Sequence, residues 1–273
     1  MTLQRAWKIA LVATAAALFT QTAVAQPHCP TAALRAYAHN DYNNTHPLYD
    51  AVAFGYRGVE ADVYLVDGVL RVAHDRKSAT GAPALDTLYL IPIRDLLARC
   101  GPTIVAGAMQ PFLLNLEIKE ASNETLQVLL TSLSSVADLM RSSTGQALEA
   151  RLIVTLVGYA GTDRPPHLVT FPGVACKANT PARLVHCVNT PGTAMVSVDY
   201  GKTQGRWWTL DAERVRWLAA LRAAQAASPN LMIRVFNVPS HRETYLELLH
   251  AGVDLIGTKD LAGTAALLAT KGR

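Results

Sequence analysis

The chain contains no C-x-x-C pair and no G-x-G-x-x-G after its first β-rich run. Those absences argue against zinc knuckles, thioredoxin-like redox motifs and a dinucleotide fingerprint. No low-complexity linker interrupts it and no repeat is visible, so a single domain is expected. Charge of one sign is also scarce. Lys+Arg 25 against Asp+Glu 21 leaves a formal +4, and the basic residues are scattered, not striped. Nucleic acid is therefore not an expected partner. Beyond residue 25 there is no apolar run approaching the roughly 20 residues that span a bilayer, so no stable membrane span is expected. What the 273 residues do have is core-forming material: 50% are hydrophobic and only 17% charged. That composition excludes a disordered or collagen-like chain.

The first 25 residues read as a secretory signal peptide. Arg5 and Lys8 precede an apolar run, Ile9 to Leu18, followed by Ala23-Val24-Ala25. A basic start, a short apolar stretch and a small-x-small site describe export with cleavage after Ala25, to a periplasm or beyond. Loss of Arg5 and Lys8 takes the formal charge from +4 to +2. The domain then occupies residues 26–273, and a monomer is expected. All four cysteines lie in that exported part, where disulfides persist. Four cysteines allow three pairings. The short Pro- and Asn-containing stretch between Cys176 and Cys187 favours that pair, leaving Cys29 with Cys100; free or mixed thiols are the alternative.

Beyond residue 30, β-rich runs alternate with helical patterns. Strands are expected at 35–38, 59–66, 112–118, 151–157, 194–199, 232–237 and 254–258, with a weaker one near 168–171. Helices are expected at 47–54, 123–141, 211–227, 240–250 and 261–269. In 211–227, for example, Val215, Leu218, Leu221 and Ala224 recur at helical spacing. Alternation of this kind gives parallel strands covered by helices, and about eight strands in roughly 250 residues fits an α/β (β/α)₈ TIM barrel. A doubly wound open sheet is the alternative. In a barrel the chemistry sits at the C-terminal strand ends. Polar residues gather there: His39, Asn40 and Asp41, then Glu60 and Asp62, Glu117 and Lys119, Asp199 and Tyr200, Asn237, and Lys259 and Asp260.

Glu60 and Asp62 point the same way from an apolar strand, because side chains alternate faces. That strand runs into Asp67-Gly68, a hairpin signal. Folding back about it pairs Val66 with Val69 and brings His74 opposite Ala61, beside Asp62. On the third strand Asn115, Glu117 and Lys119 share a face, and Glu117 would join the other two carboxylates. Three such groups with Lys119 alone to offset them call for a cation. Oxygen ligands suit a hard ion, Mg²⁺ or Ca²⁺, held by Glu60, Asp62 and Glu117. His39 and His74 flank the ion and can divide general-base and general-acid roles. Arg206-Trp207-Trp208 is expected near the rim, where Trp207 and Trp208 could contact a lipid or head group.

The runs Ala38-His39-Asn40-Asp41-Tyr42, Pro47-Leu48-Tyr49-Asp50-Ala51, Val59 to Gly68, Ala73-His74-Asp75, Leu116-Glu117-Ile118-Lys119 and Gly252 to Thr258 resemble the phospholipase-C-like phosphodiesterase superfamily. The branches they look most like are the glycerophosphodiester phosphodiesterases and the group named after altered inheritance of mitochondria protein six. The resemblance spans roughly residues 35 to 265. It implies a barrel with a divalent metal at Glu60, Asp62 and Glu117, an acid/base pair at His39 and His74, and charge stabilisation on phosphate by Lys119. The implied substrate is a small-molecule or lipid phosphodiester. At the first motif Asn40-Asp41 follows His39 where glycerophosphodiesterases carry Arg-Gly, so their phosphate-binding arginine is missing there. Asn40 and Asn237 are candidate substrate contacts. Sphingomyelinase D-like phospholipases share the histidines and Glu-x-Asp and form one alternative. A non-catalytic ligand-binding barrel forms another.

Overall fold

The computed structural model describes residues 29–106, 108, 111–140, 150–159, 172–202 and 211–269. The leader, the weaker strand near 168–171, Trp207 and Trp208 lie outside the described residues.

The β-rich runs become β1 (Ala36–Ala38), β2 (Gly58–Val66), β3 (Val69–Val72), β4 (Phe112–Ile118), β5 (Leu152–Val157), β6 (Gly173–Ala178), β7 (Thr193–Asp199), β8 (Met232–Phe236) and β9 (Leu255–Thr258). Their order is β1-β9-β8-β7-β6-β5-β4-β2-β3, and β1 also pairs with β2 in parallel. That last pairing closes a barrel of eight parallel strands. β3 is the exception, an antiparallel flap on the end of β2. The helices are α1 (Tyr49–Ala53), α2 (Arg76–Ala79), α3 (Ile91–Cys100), α4 (Asn123–Leu133), α5 (Pro181–Asn189), α6 (Asp211–Ala227), α7 (Arg242–His250) and α8 (Leu261–Ala269). No described helix is long and apolar enough to cross a membrane.

Strand parity decides what each side chain meets. One parity fills the barrel interior with Tyr37, Leu113, Ile153, Met195, Met232 and Leu255. The other packs beneath the helices, as Val59, Ala61 and Val63 do on β2. His39, Glu60, Asp62, Glu117 and Lys119 share the inward parity, so all five point toward the barrel's axis or mouth.

The Asp67-Gly68 turn forms as expected, with both residues at positive φ (49° and 74°), the pair of left-handed conformations a tight hairpin requires. Val66 pairs with Val69 and Val63 with Val72. The Ala73 N–H donates to the Asp62 carbonyl at 3.0 Å, which carries the ladder to within one residue of His74.

Several elements depart from the sequence reading. The strand between β5 and β7 is Gly173–Ala178, downstream of the expected run. The helix expected over 123–141 ends at Leu133 and continues as a 3-10 turn to Leu139. The one expected over 47–54 begins only at Tyr49, because Leu48 takes φ 66°. Helices α2, α3 and α5 were not anticipated. Both favoured disulfides are present, Cys29–Cys100 and Cys176–Cys187. The first ties the chain ahead of β1 to the end of α3, and the second ties β6 to α5.

Gly58 starts the site-bearing strand where a Cβ would stand 2.7 Å from the Leu113 Cβ and 2.9 Å from its carbonyl oxygen. Backbone cannot yield as a flexible side chain would. Gly58→Ala should therefore cost about 1–3 kcal/mol, read as a shift in urea midpoint.

Candidate functional site

Three carboxylates meet where β2 and β4 lie side by side, with Glu60 registered against Asn115 and Asp62 against Glu117. Glu60 and Asp62 are buried and Glu117 is half-buried. One oxygen from each lies within 4.8 Å of the others. Ligands at roughly 2.0–2.6 Å from one centre can stand no more than twice that apart, so this spacing lets three oxygens share a single ion.

The partners of each oxygen show which ones are free. Glu60 Oε1 accepts from Asn115 Nδ2 at 3.2 Å and from Arg234 Nη1 at 3.4 Å. Thr155 in turn donates to Asn115 Oδ1 at 2.7 Å, which fixes the amide's orientation. Asp62 Oδ2 accepts from the Tyr42 hydroxyl at 2.7 Å and pairs with Lys119 Nζ at 2.8 Å. Glu60 Oε2 and Asp62 Oδ1, both buried, have no hydrogen-bond partner among the described residues. Buried carboxylate oxygens left bare are costly. Two of them converging on a third carboxylate fit a hard divalent cation, with the donor set of Mg²⁺ or Ca²⁺.

Burial pushes the Asp62 carboxyl above its ordinary range, and Lys119 and Tyr42 pull it back only in part. Burial acts on Glu117 in the same direction, but Lys177 and Lys119 outweigh it and hold that carboxyl low. Lys119 sits 3.3 Å from Glu117 Oε1 as well as on Asp62, and those two anions keep its ammonium protonated against burial.

The two histidines reach the same cavity from different elements. His39 Nε2 lies 3.5 Å from the bare Glu60 Oε2, and the ring stands edge-on to Phe236 at 5.0 Å. Burial, then the positive fields of Arg234 and Lys259, lower His39 to about 3. His74 is exposed at the mouth. Asn40 is buried there at φ 54°, in the left-handed region that asparagine tolerates. Asn237 also lines the mouth, and its amide donates to Asp199 at 2.9 Å. The cavity they share encloses about 640 Å³.

Arg234 escaped the sequence reading. It is 2% exposed, its guanidinium lies 4.4 Å from both the Tyr37 and Phe236 ring centres, and it donates to the Tyr37 hydroxyl at 2.9 Å. Burial works against its charge, but Glu60 and neighbouring anions more than restore it. A signal was present: Met232-Ile233-Arg234-Val235-Phe236 places one arginine inside an apolar strand, just as Glu60 sits in β2. Tyr42 was quoted within the first motif but assigned no role; it turns out to hold Asp62.

Residues 29–163 match the AIM6-like phosphodiesterase domain. Curated relatives agree over shorter stretches. Altered inheritance of mitochondria protein 6 of Eremothecium gossypii is 42% identical over 65 residues, 23% of this chain and 17% of that one. Its homologue in Arthroderma benhamiae is 32% identical over 72 residues, 24% and 23% of the two chains. The matched segment thus spans less than a quarter of either relative. Among solved structures, a phosphodiesterase of Oleispira antarctica, in complex with the product sn-glycerol-3-phosphate, aligns at TM-score 0.50 and 14% identity. That alignment covers 87% of this chain and 98% of the other, and it supports the barrel. The family likeness in sequence thus rests on residues 29–163, just under half of the chain, and is to the AIM6-like phosphodiesterase domain.

Proposed function

We propose that this is an exported, divalent-cation-dependent phosphodiesterase that hydrolyses glycerophosphodiesters or phospholipid-like phosphodiesters, with His39 and His74 as its acid–base pair. The observation that carries the reading is the pair of bare, buried oxygens on Glu60 and Asp62, facing a cavity that both imidazoles also line. Mg²⁺ or Ca²⁺ held by Glu60, Asp62 and Glu117 would supply Lewis-acid polarisation of a phosphoryl oxygen. The chain's own residues do the rest. Lys119, fixed by Asp62 and Glu117, offers a positive charge to the non-bridging oxygens as the phosphorus becomes five-coordinate. One imidazole takes the proton of the attacking hydroxyl or water as its oxygen bonds to phosphorus. The other gives a proton to the departing alkoxide as the second P–O bond breaks.

The glycerol phosphate seen with the Oleispira enzyme supports a glycerophosphate-type product. Two disulfides, with the signal-like leader, support an oxidising destination. The test is a panel of glycerophosphodiesters, lysophospholipids and sphingomyelin assayed with and without chelator. Turnover of at least one diester should vanish with chelator and return with Mg²⁺ or Ca²⁺. Turnover that survives exhaustive chelation, or no turnover with either ion, overturns the reading.

A further inference from the structure

The mouth of the cavity carries charges of both signs. Glu60, Asp62 and Glu117 stand on β2 and β4. The rest of the lining includes Lys177 on β6, Arg183 in the first turn of α5, Lys202 just after β7 and Lys259 just after β9. Some of these cations are matched. Lys177 shares Glu117 with Lys119 at 3.4 Å, and Lys202 stands 3.7 Å from Asp199. Arg183 and Lys259 also line the cavity, and neither side chain has an ion pair among the described residues.

Among the described residues, and counted with Lys119 and Arg234, six cationic side chains line the cavity against four carboxylates, Asp199 being the fourth. A divalent cation on the carboxylates would widen that surplus by two. An ordinary phosphodiester brings back a single negative charge. Like charges crowded into one concavity raise each other's cost unless an anion neutralises them. Among the described residues the cavity's lining is apolar only at Val157, Ala178 and Phe236, so that part of the wall is predominantly polar and charged.

We propose that Arg183 and Lys259 form a second anion-binding subsite, and that the preferred substrate is a phosphodiester bearing an additional phosphate on one of its alcohol groups. This rests on the phosphodiesterase reading above and narrows it. The planar guanidinium of Arg183 suits bidentate contact with phosphate, while Lys259 supplies a point charge to the same cavity.

The test compares glycerophosphoinositol with glycerophosphoinositol 4-phosphate, which share one scissile diester, in the wild type and in Arg183→Ala/Lys259→Ala. Both side chains are exposed, so the variant should fold. The wild type should favour the phosphorylated substrate by about tenfold in kcat/KM, expressed in KM, as two charge-assisted contacts allow. The double variant should bring the two substrates to within about twofold in kcat/KM, through a KM that rises far more for the phosphorylated substrate than for the other. No preference in the wild type, or an equal loss on both substrates, overturns the subsite and leaves general electrostatic steering. Calorimetry with glycerol 1,3-bisphosphate against sn-glycerol 3-phosphate, in Mg²⁺, separates the two levels of the argument. Tighter bisphosphate binding that the variant loses, with neither diester hydrolysed, would sink the proposed reaction but keep the subsite. Hydrolysis without any bisphosphate preference would do the reverse.

Discussion

Replacing His74 with alanine should lower kcat on the best diester by about 10²–10⁴-fold, the usual loss for a positioned acid or base, while the thermal midpoint stays where it is. His74 follows the last backbone bond of the β2–β3 flap, from the Ala73 N–H to the Asp62 carbonyl, so its side chain carries no ladder contact that folding needs. It is exposed, and trimming an exposed side chain changes stability by no more than about 0.5 kcal/mol. A collapse of turnover in an unaltered fold can then come only from chemistry at the mouth. His39→Ala should lose activity to a similar degree but is a less clean experiment. That ring packs edge-on against Phe236 and stands beside Glu60, so its loss disturbs packing and a buried carboxylate together. Circular dichroism and the thermal midpoint, measured beside kcat, distinguish the two cases. If His74→Ala kept its rate to within about threefold, far less than general acid–base catalysis is worth, an acid–base role for His74 would be excluded.

The difference between what the sequence disclosed and what it hid is one of range. Glu60 and Asp62 were legible because two residues of one strand share a face whatever surrounds them. The return of His74 was legible because Asp67-Gly68 sets the hairpin register within a dozen residues. β4 was legible from unbroken apolar residues interrupted at period two. β6 was not: Gly-Val-Ala-Cys-Lys-Ala is short, rich in small residues and partly exposed, and the neighbouring run at 168–171 has the stronger β composition. Helices α3 and α5 carry proline in their first turn, where a missing N–H costs nothing, yet proline invites reading as a breaker. Thr180 caps α5 by accepting from the Arg183 N–H, a start signal that was present and passed over. Arg234 shows the limit most clearly. Its charge is tolerable only because Glu60 lies across the barrel, 174 residues away in sequence. No local pattern can reveal a partner at that distance.

Asp41 presents the same long-range logic beneath the site, and it yields the second large effect. Its carboxylate is fully buried, with Oδ2 accepting from the Leu48 N–H at 2.5 Å and the Tyr89 hydroxyl at 2.9 Å, and Oδ1 from Asn44 at 3.0 Å. These bonds pin the turn that carries His39, Asn40 and Tyr42 over the carboxylates, and they hold Leu48 at its positive φ. Asp41→Ala would leave the buried Leu48 and Tyr89 donors without an acceptor, a loss of about 2–5 kcal/mol. Asp41→Asn should be far milder at neutral pH, because one amide oxygen can accept from both donors while Asn44 flips to meet the new N–H. The same substitution isolates a pH effect. Burial raises the Asp41 carboxyl from 3.8 to about 6, the bonds from Leu48 and Tyr89 offsetting only part of that cost. The native state thus holds its proton at pH values where the unfolded chain has released it. Between pH 3.8 and 6 the unfolded chain binds fewer protons, and native stability falls as pH rises, by about 3 kcal/mol in all. Below that window the stabilisation is fully present, and above it the loss is complete. Subtracting the stability of Asp41→Asn from that of the wild type, by urea titration from pH 4 to 7, removes every other titrating group common to both. The difference should decline toward pH 6 and then level off. A flat or rising difference would mean that the native protein carries Asp41 charged throughout, with its three donors sufficient to offset burial.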